Sequence, residues 1–385
     1  MTTGAAELRD VAVVYQGRTV LDVPQFTVES GGVLTIMGPN GSGKSTLLRV
    51  LGLLERPTRG QVFHNGKGVG SGRGEALQHR RRLALVMQQP LLRNVSTWEN
   101  LATGLRFRRV PKPELRLRVG VWLERLGIAH LARRNARSLS GGEAQRTSLA
   151  RALVLEPDIL LMDEPFAALD PPTRQSLLDD LRDILNDVNT STVFVTHDRA
   201  EAQALGDRLA VLIEGRLRQV GRPEVVFSMP ASEEVAAFVG VENILTGRVR
   251  RQVAGLATVA VGPGGVTVVG EFAVGEELVM GLPPEAVVLE PPSDNVTPTS
   301  ALNRLHGTIA RVIPQGALAR VVVDCGFPLV SLVTRESVLN LALSRGTHVA
   351  AAFKATAVHV IRHERHQQAV EEGDVQTGEA PLQGV

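Results

Sequence analysis

Val33-Leu-Thr-Ile-Met37-Gly38-Pro-Asn-Gly-Ser-Gly43-Lys44-Ser45-Thr46 joins a short apolar run to a glycine-rich turn ending in Lys-Ser-Thr. The first five residues are apolar or β-branched, and so short a run suits a strand covered on both faces. Leu47, Leu48, Leu51 and Leu54 then recur at helical spacing until Pro57 stops the pattern. Gly38 to Ser45 therefore satisfies G-x-x-x-x-G-K-[ST] between a strand and a helix, the setting in which that pattern has a mechanism. Glycines let the backbone close around phosphates, and the loop N–H groups point inward at the positive end of the helix. Lys44 would place its ammonium between the β- and γ-phosphates, and the Ser45 hydroxyl would ligate Mg²⁺.

Outward from this loop, as far as about residue 240, apolar runs alternate with helical patterns. Residues 83–87, 159–162 and 193–195 read as further buried strands, and Asp170 followed by Pro171 and Pro172 reads as a helix start. The pattern predicts an α/β domain over residues 1–240 with a mainly parallel sheet, interrupted by a helical insertion at about 90–140. Asp163 and Glu164 close one strand. Asp163 is placed to hold Mg²⁺ through water and Glu164 to polarise an attacking water. His197 ends another strand and could donate to the γ-phosphate, while the Gln88 amide could reach both metal and water. Taken singly, each has a plainer reading, since paired acids cap turns and a lone histidine is usually structural. Ser140-Gly141-Gly142-Glu143 opens another helix, either as a second anion-binding N-terminus or as a capping turn.

Composition narrows the class. The 385 residues carry 42 Lys+Arg against 40 Asp+Glu, and 43% are hydrophobic, as in a globular protein of two or three domains. The single Cys325 excludes a disulfide framework and a multi-thiolate metal site. No apolar run approaches the ~20 residues that cross a bilayer, and the N-terminus lacks a signal-peptide layout. The chain thus reads as soluble and cytoplasmic. Its formal charge of +2 does not call for nucleic acid, and Arg80, Arg81, Arg82, Arg106, Arg108 and Arg109 read as a solvated helical surface. Lysine occurs four times, at Lys44, Lys67, Lys112 and Lys354, so each position draws notice.

Beyond residue 240 valine, glycine and proline dominate and helical periodicity nearly vanishes. Asn243-Ile-Leu-Thr-Gly247 matches Asn303-Arg-Leu-His-Gly307 at an offset of 60, and residues 284–289 resemble 355–360 at an offset of 71. An all-β domain of duplicated small barrels is expected, 241–299 and 300–362, with residues 363–385 as a disordered tail. His359, His363 and His366 fall around the start of the expected tail and do not read as a metal site.

Assembled, these residues resemble the ATPase subunit of an ABC importer. The phosphate loop at 38–45, Gln88, the LSGGE-type signature at 139–143, LLMDEP at 160–165, Ala168-Leu169-Asp170 and His197 stand in that family's order. The resemblance is specific, spans residues 8–240 and shows no departure in these motifs. Tyr15, the only tyrosine, falls where family members stack an aromatic ring on adenine. The resemblance implies a P-loop NTPase fold of the ABC nucleotide-binding type, with ATP and Mg²⁺ as cofactors. Tyr15, Gly38, Pro39, Asn40, Gly41, Ser42, Gly43, Lys44, Ser45 and Thr46 would bind ATP, with Ser45, Gln88 and Asp163 at the metal. It also implies a homodimer sandwiching two ATP, in which Ser140, Gly141 and Gly142 meet the partner's nucleotide and Asp170 links the two sites. Glu164 would be the general base, with His197 and Gln88 sensing the γ-phosphate. Residues 89–100 would receive a helix from integral-membrane permease subunits at the cytoplasmic face of the membrane. An extracytoplasmic substrate-binding protein would act indirectly.

Residues 300–362 are similar to the oxyanion-binding barrel of molybdate and tungstate importer ATPases, through Ser300-Ala-Leu-Asn303 and Phe353-Lys354-Ala-Thr356-Ala-Val358. Ser300, Lys354 and Thr356 would contact a regulatory oxyanion. Leu302 departs from that pattern, because binders often carry arginine there, and a charge-assisted contact is lost. Importers of sulfate, ferric iron, polyamine or sugar are same-class alternatives. A soluble ABC ATPase of DNA repair or translation is the alternative from another class, and the appended barrels argue against it.

Overall fold

The computed structural model describes residues 4–70, 72–292 and 299–361. The tail at 363–385, with His363 and His366, lies outside the described residues. The chain divides between Glu224 and Val225 into two compact units.

The strands of the first unit are β1 (Ala6–Tyr15), β2 (Arg18–Val28), β3 (Val33–Met37), β4 (Arg59–His64), β5 (Lys67–Gly68), β6 (Leu83–Val86), β7 (Ile159–Asp163), β8 (Ser191–Val195), β9 (Arg208–Ile213) and β10 (Arg216–Gly221). Its helices are α1 (Lys44–Leu51), α2 (Arg73–Arg80), α3 (Thr97–Phe107), α4 (Lys112–Arg125), α5 (Gly141–Leu153), α6 (Pro171–Asp187) and α7 (Arg199–Leu205). A four-stranded antiparallel sheet, β2-β1-β4-β5, accompanies a six-stranded sheet, β10-β9-β3-β8-β7-β6, parallel except for β10.

Strand periodicity sorts the apolar residues between two cores. Ile159, Leu161, Val193 and Val195 pack with Leu8, Val11, Val23 and Phe26 of the antiparallel sheet and with Leu47, Leu48 and Leu51 of α1. Their neighbours Leu160, Met162 and Phe194 face the other way, against Leu101, Leu105, Val119, Leu149 and Leu181 of the helical layer. Coverage on both faces explains why β8 is buried throughout. Helices α3 and α4 fill the expected insertion, and Asp170 caps α6 ahead of Pro171 as expected.

The second unit contains α8 (Glu233–Val239), β11 (Asn243–Val253), β12 (Leu256–Val261), β13 (Gly264–Val269), β14 (Glu277–Leu282), β15 (Val288–Glu290), β16 (Asn303–Gln315), β17 (Leu318–Asp324), β18 (Pro328–Thr334), α9 (Arg335–Asn340), β19 (His348–Phe353) and β20 (His359–Ile361). Two five-stranded sheets form, β13-β12-β11-β14-β20 and β15-β19-β16-β17-β18. The order is the same in both copies, but each gives its last strand to the other's sheet. β15 pairs with β19, and β20 with β14. The inner faces share one core, in which Val249, Val259 and Leu282 join Ile309, Val323 and Phe353. Helix α9 has no counterpart among the described residues of the first copy.

The asparagine of the repeated Asn-x-x-x-Gly motif reaches across to the other copy, and its glycine lets the neighbouring strand of its own copy come close. Asn243 is 1% exposed and donates to the Leu282 and Val330 carbonyls at 3.1 and 2.8 Å, while its Oδ1 accepts from the Val330 N–H at 2.6 Å. Asn303 does the same for Thr267, accepting at 2.6 Å and donating at 2.9 Å. Each amide thus stands in for a neighbouring strand and clamps the other copy. A Cβ on Gly247 would lie 2.1 Å from the Ala260 carbonyl oxygen, and one on Gly307 2.6 Å from that of Asp324. Asn243→Ala strands both polar groups of Val330 and should lower the stability of this unit by about 2–4 kcal/mol, with Asn303→Ala close behind. Both tryptophans, Trp98 and Trp122, lie in the first unit. Denaturation followed by circular dichroism should therefore show an earlier transition that tryptophan fluorescence does not share. Coincident, unshifted transitions would refute the clamp.

Candidate active site at the carboxyl edge of the parallel sheet

Strand β3 runs out into the phosphate loop, β7 into Asp163 and Glu164, β8 into His197 and β6 into Gln88, all at the carboxyl edge where such sheets bind ligands. The loop requires its glycines. A Cβ on Gly38 would sit 2.0 Å from the Leu212 carbonyl oxygen, and Gly43 has φ +98° with the Val20 carbonyl oxygen 2.8 Å from a built Cβ. Gly43 precedes α1 without a side-chain cap, so no side chain claims the first N–H groups of that helix. Pro39 and Asn40 are exposed at the loop's tip, and the buried Ser42 hydroxyl has no partner among the described residues.

Lys44 is 7% exposed and donates to the Gly38 and Pro39 carbonyls at 2.8 and 2.9 Å, leaving one of its three donors for another acceptor. Burial lowers its pKa, and Glu164 and Asp163 pull it back up. Asp163 is shifted upward, mainly by burial, while the Ser45 hydroxyl hydrogen-bonded to its carboxylate and nearby Lys44 oppose the shift. Ser45 and Asp163 thus meet as a hydroxyl and a carboxylate, the hard oxygen donors that suit Mg²⁺. Glu164 adopts φ +44°, an uncommon conformation for this residue, and its N–H donates to the Val195 carbonyl at 3.0 Å. The turn brings Glu164 Oε2 within 3.3 Å of His197 Nδ1. Gln88 is exposed beyond β6 and makes no hydrogen bond among the described residues.

Tyr15 ends β1 with its ring 43% exposed. Its hydroxyl bonds Glu55, which raises its pKa, and also contacts Thr46 of α1. Arg49 completes the ring of contacts, donating to Glu55 at 3.1 Å and to Thr46 at 3.2 Å. An exposed aromatic face is therefore anchored beside the phosphate loop.

Ser140 and Glu143 form a capping box on α5, with Glu143 accepting from the Ser140 N–H at 2.7 Å. Gly141 has open space around it, whereas a Cβ on Gly142 would meet Thr173 Cγ2 at 2.5 Å. Thr173 in turn donates from N and Oγ1 to Asp170, at 3.2 and 3.0 Å, and these bonds hold the carboxylate below its ordinary pKa. The signature and residue 170 thus form one patch. No hydrogen bond joins Ser140, Gly141 or Gly142 to residues 38–46 among the described residues.

In the second unit, the pairing of Asn303 with Phe353 brings Ser300 and Lys354 to one end of a sheet, with Thr356 in the following 3₁₀ turn. Ser300, Lys354, Thr356 and Leu302 are all exposed. Among the arginines at 80–109, Arg82 pairs with Asp158, Arg106 with Glu99, and Arg108 donates to the Arg81 and Leu155 carbonyls. Sequence reasoning missed the contacts of Arg174, Thr196 and Glu201 behind His197, because no motif marks a contact between two helices.

The ABC transporter family model matches residues 21–167, and the TOBE domain model matches residues 299–360. The molybdate/tungstate import ATP-binding protein WtpC of Pyrococcus horikoshii is 36% identical over 336 residues, 87% of this chain and 94% of that protein. WtpC of Thermococcus kodakarensis is 44% identical over 223 residues, 58% of this chain and 66% of that protein. Among solved structures, the dimeric ATP-binding cassette MJ0796 bound to ADP and Pi has 30% identity and a TM-score of 0.52, covering 57% of this chain and 98% of that one. With a relative matched along nearly its whole length and the phosphate loop, Asp163, Glu164 and His197 gathered at one sheet edge, this chain belongs to the ABC transporter family as one of its ATP-binding, ATP-hydrolysing subunits.

Proposed function

We propose that two copies of this chain sandwich two ATP and energise a membrane permease that imports an oxyanion, molybdate or tungstate. The convergence of Lys44, Ser45, Asp163, Glu164 and His197 at one sheet edge carries the hydrolytic part of this reading. Lys44 leaves its loop carbonyls for the β- and γ-phosphates, and the N–H groups at the start of α1 receive the phosphate oxygens. Ser45, Asp163 and Gln88 would hold Mg²⁺, which neutralises charge on the terminal phosphates. Glu164 accepts a proton from the attacking water, and His197, at 3.3 Å, orients it and meets the γ-phosphate. Tyr15 offers its face to adenine.

The signature patch is the part that a second copy would supply. Ser140 and Gly142 at the start of α5 suit the γ-phosphate of the partner's ATP, and Asp170 lies beside them to link the two sites. Residues 89–100 suit the permease, and Leu91 is 64% exposed there without an apolar cover. The chain would then sit peripherally at the cytoplasmic face, with the substrate-binding protein on the far side. The oxyanion reading is supported by the similarity to WtpC, whose 336 matched residues exceed the length of the first unit.

Glu164→Gln should cut phosphate release by about 10²–10⁴-fold while leaving ATP binding intact and the dimer ATP-trapped. Single-turnover assay with sedimentation checks both, and full hydrolysis in that variant would remove Glu164 from the role. In vesicles carrying the co-purified membrane subunits and substrate-binding protein, tungstate or molybdate should stimulate hydrolysis. Equal stimulation by sulfate would defeat the substrate assignment and spare the ATPase.

Ser300, Lys354 and Thr356 are the residues offered to a regulatory oxyanion. With Leu302 in place of a cation, the three residues bring a single charge, on the exposed Lys354, and a missing charged hydrogen bond weakens binding about 10- to 100-fold. Calorimetry on the full chain should therefore detect no micromolar binding of tungstate. Tight binding abolished by Lys354→Ala would reverse that conclusion and make the unit a feedback sensor.

A further inference from the structure

Arg174, in the first turns of α6, touches three segments at once. Its Nη2 donates to the Leu169 carbonyl at 3.2 Å, inside the turn that ends at Asp170. Its Nη1 donates to Asp198 Oδ2 at 3.3 Å. Its Nε lies 3.8 Å from Glu201 Oε1, too long for a hydrogen bond, and has no other partner among the described residues. A displacement of about 1 Å would close that gap.

The far side of this cluster holds the two chain neighbours of His197, whose own ring is exposed. Thr196 donates to Glu201 Oε2 at 2.5 Å and accepts from the Asp198 N–H at 3.0 Å. Asp198 Oδ1 caps α7, accepting from the N–H groups of Ala200 and Glu201 at 2.8 and 3.2 Å. Both neighbours of His197 are therefore held by side-chain bonds, and Arg174 joins that assembly to the Leu169 turn. Lysine could not substitute fully, because the contacts diverge from a planar fork with several fixed donors.

We propose that Arg174 is a positioning residue for ATP hydrolysis, a strut through which engagement of Asp170 sets the geometry of His197 against Glu164. The proposal rests on the reading of Glu164 and His197 as hydrolytic groups. Arg174 touches no substrate itself. When the Asp170 turn moves with a docked partner copy, the Leu169 carbonyl moves with it, and the guanidinium carries that shift to Asp198 and so to His197.

Steady-state ATP hydrolysis by the full chain tests this. Arg174→Met keeps the apolar stem and should lower kcat by about 10- to 100-fold, the cost of a small misplacement. The KM for ATP should move less than about threefold, and the Hill coefficient should fall toward unity. Arg174→Lys should recover part of both. Combining Arg174→Met with His197→Ala should be no slower than His197→Ala alone, because one acts through the other. Wild-type kcat in Arg174→Met, or losses that multiply in the double variant, would overturn the proposal. Wild-type kcat in His197→Ala would overturn the hydrolytic reading beneath it as well. Should Arg174→Met fail to fold, Asp198→Asn keeps the α7 cap, weakens the other end of the strut and must show the same kinetic pattern.

Discussion

Parallel pairing in register is the constraint on which the first unit depends. Ile36 and Asp163 both align with Val195, and Val86 aligns with Met162, so the four strands end within about one residue of one another. The same register sorts Ile159 and Leu161 into one core and Leu160 and Met162 into the other. A slip of one residue would reverse every side chain of a strand and put each set in the wrong core. Packing and chemistry are thus set by one alignment. The site needs no device of its own to bring Lys44, Asp163 and His197 together.

Burial then gives the edge its electrical character. It disfavours the charged forms of both Lys44 and Asp163, and each charge partly restores the other. The ammonium is held by carbonyl oxygens, which are neutral acceptors that a phosphate oxygen outcompetes.

Most of the nucleotide site was legible because its parts are contiguous in the chain. A strand, a glycine turn and a lysine make a recognisable string, and Ser140-Gly141-Gly142-Glu143 marks a helix start before any fold is known. The positive φ of Glu164 and the Tyr15–Glu55–Arg49 ring were not legible, since neither has a local pattern. The Arg174 cluster joins α6 to α7 across some two dozen residues and leaves no periodic trace. In the second unit the repeat was visible as offsets of 60 and 71, but the exchange was not. β15 and β20 are three residues each, too short for periodicity to show which sheet they join.

The exchange of end strands has a consequence for synthesis. The sheet begun by β11 is completed by β20, at Ile361, so the first copy cannot reach its native form while the second is still being made. Its β14 flank, residues 277–282, must wait on the ribosome as an open strand edge until the rest of the chain emerges. Chains stopped early would carry that edge exposed, with Val279, Met280 and Leu282 behind it, as a template for pairing with other nascent chains. A break between the copies would likewise leave two halves that fold only by finding each other. The first unit carries no such debt to residues downstream of it in its sheets, which close within residues 6–221.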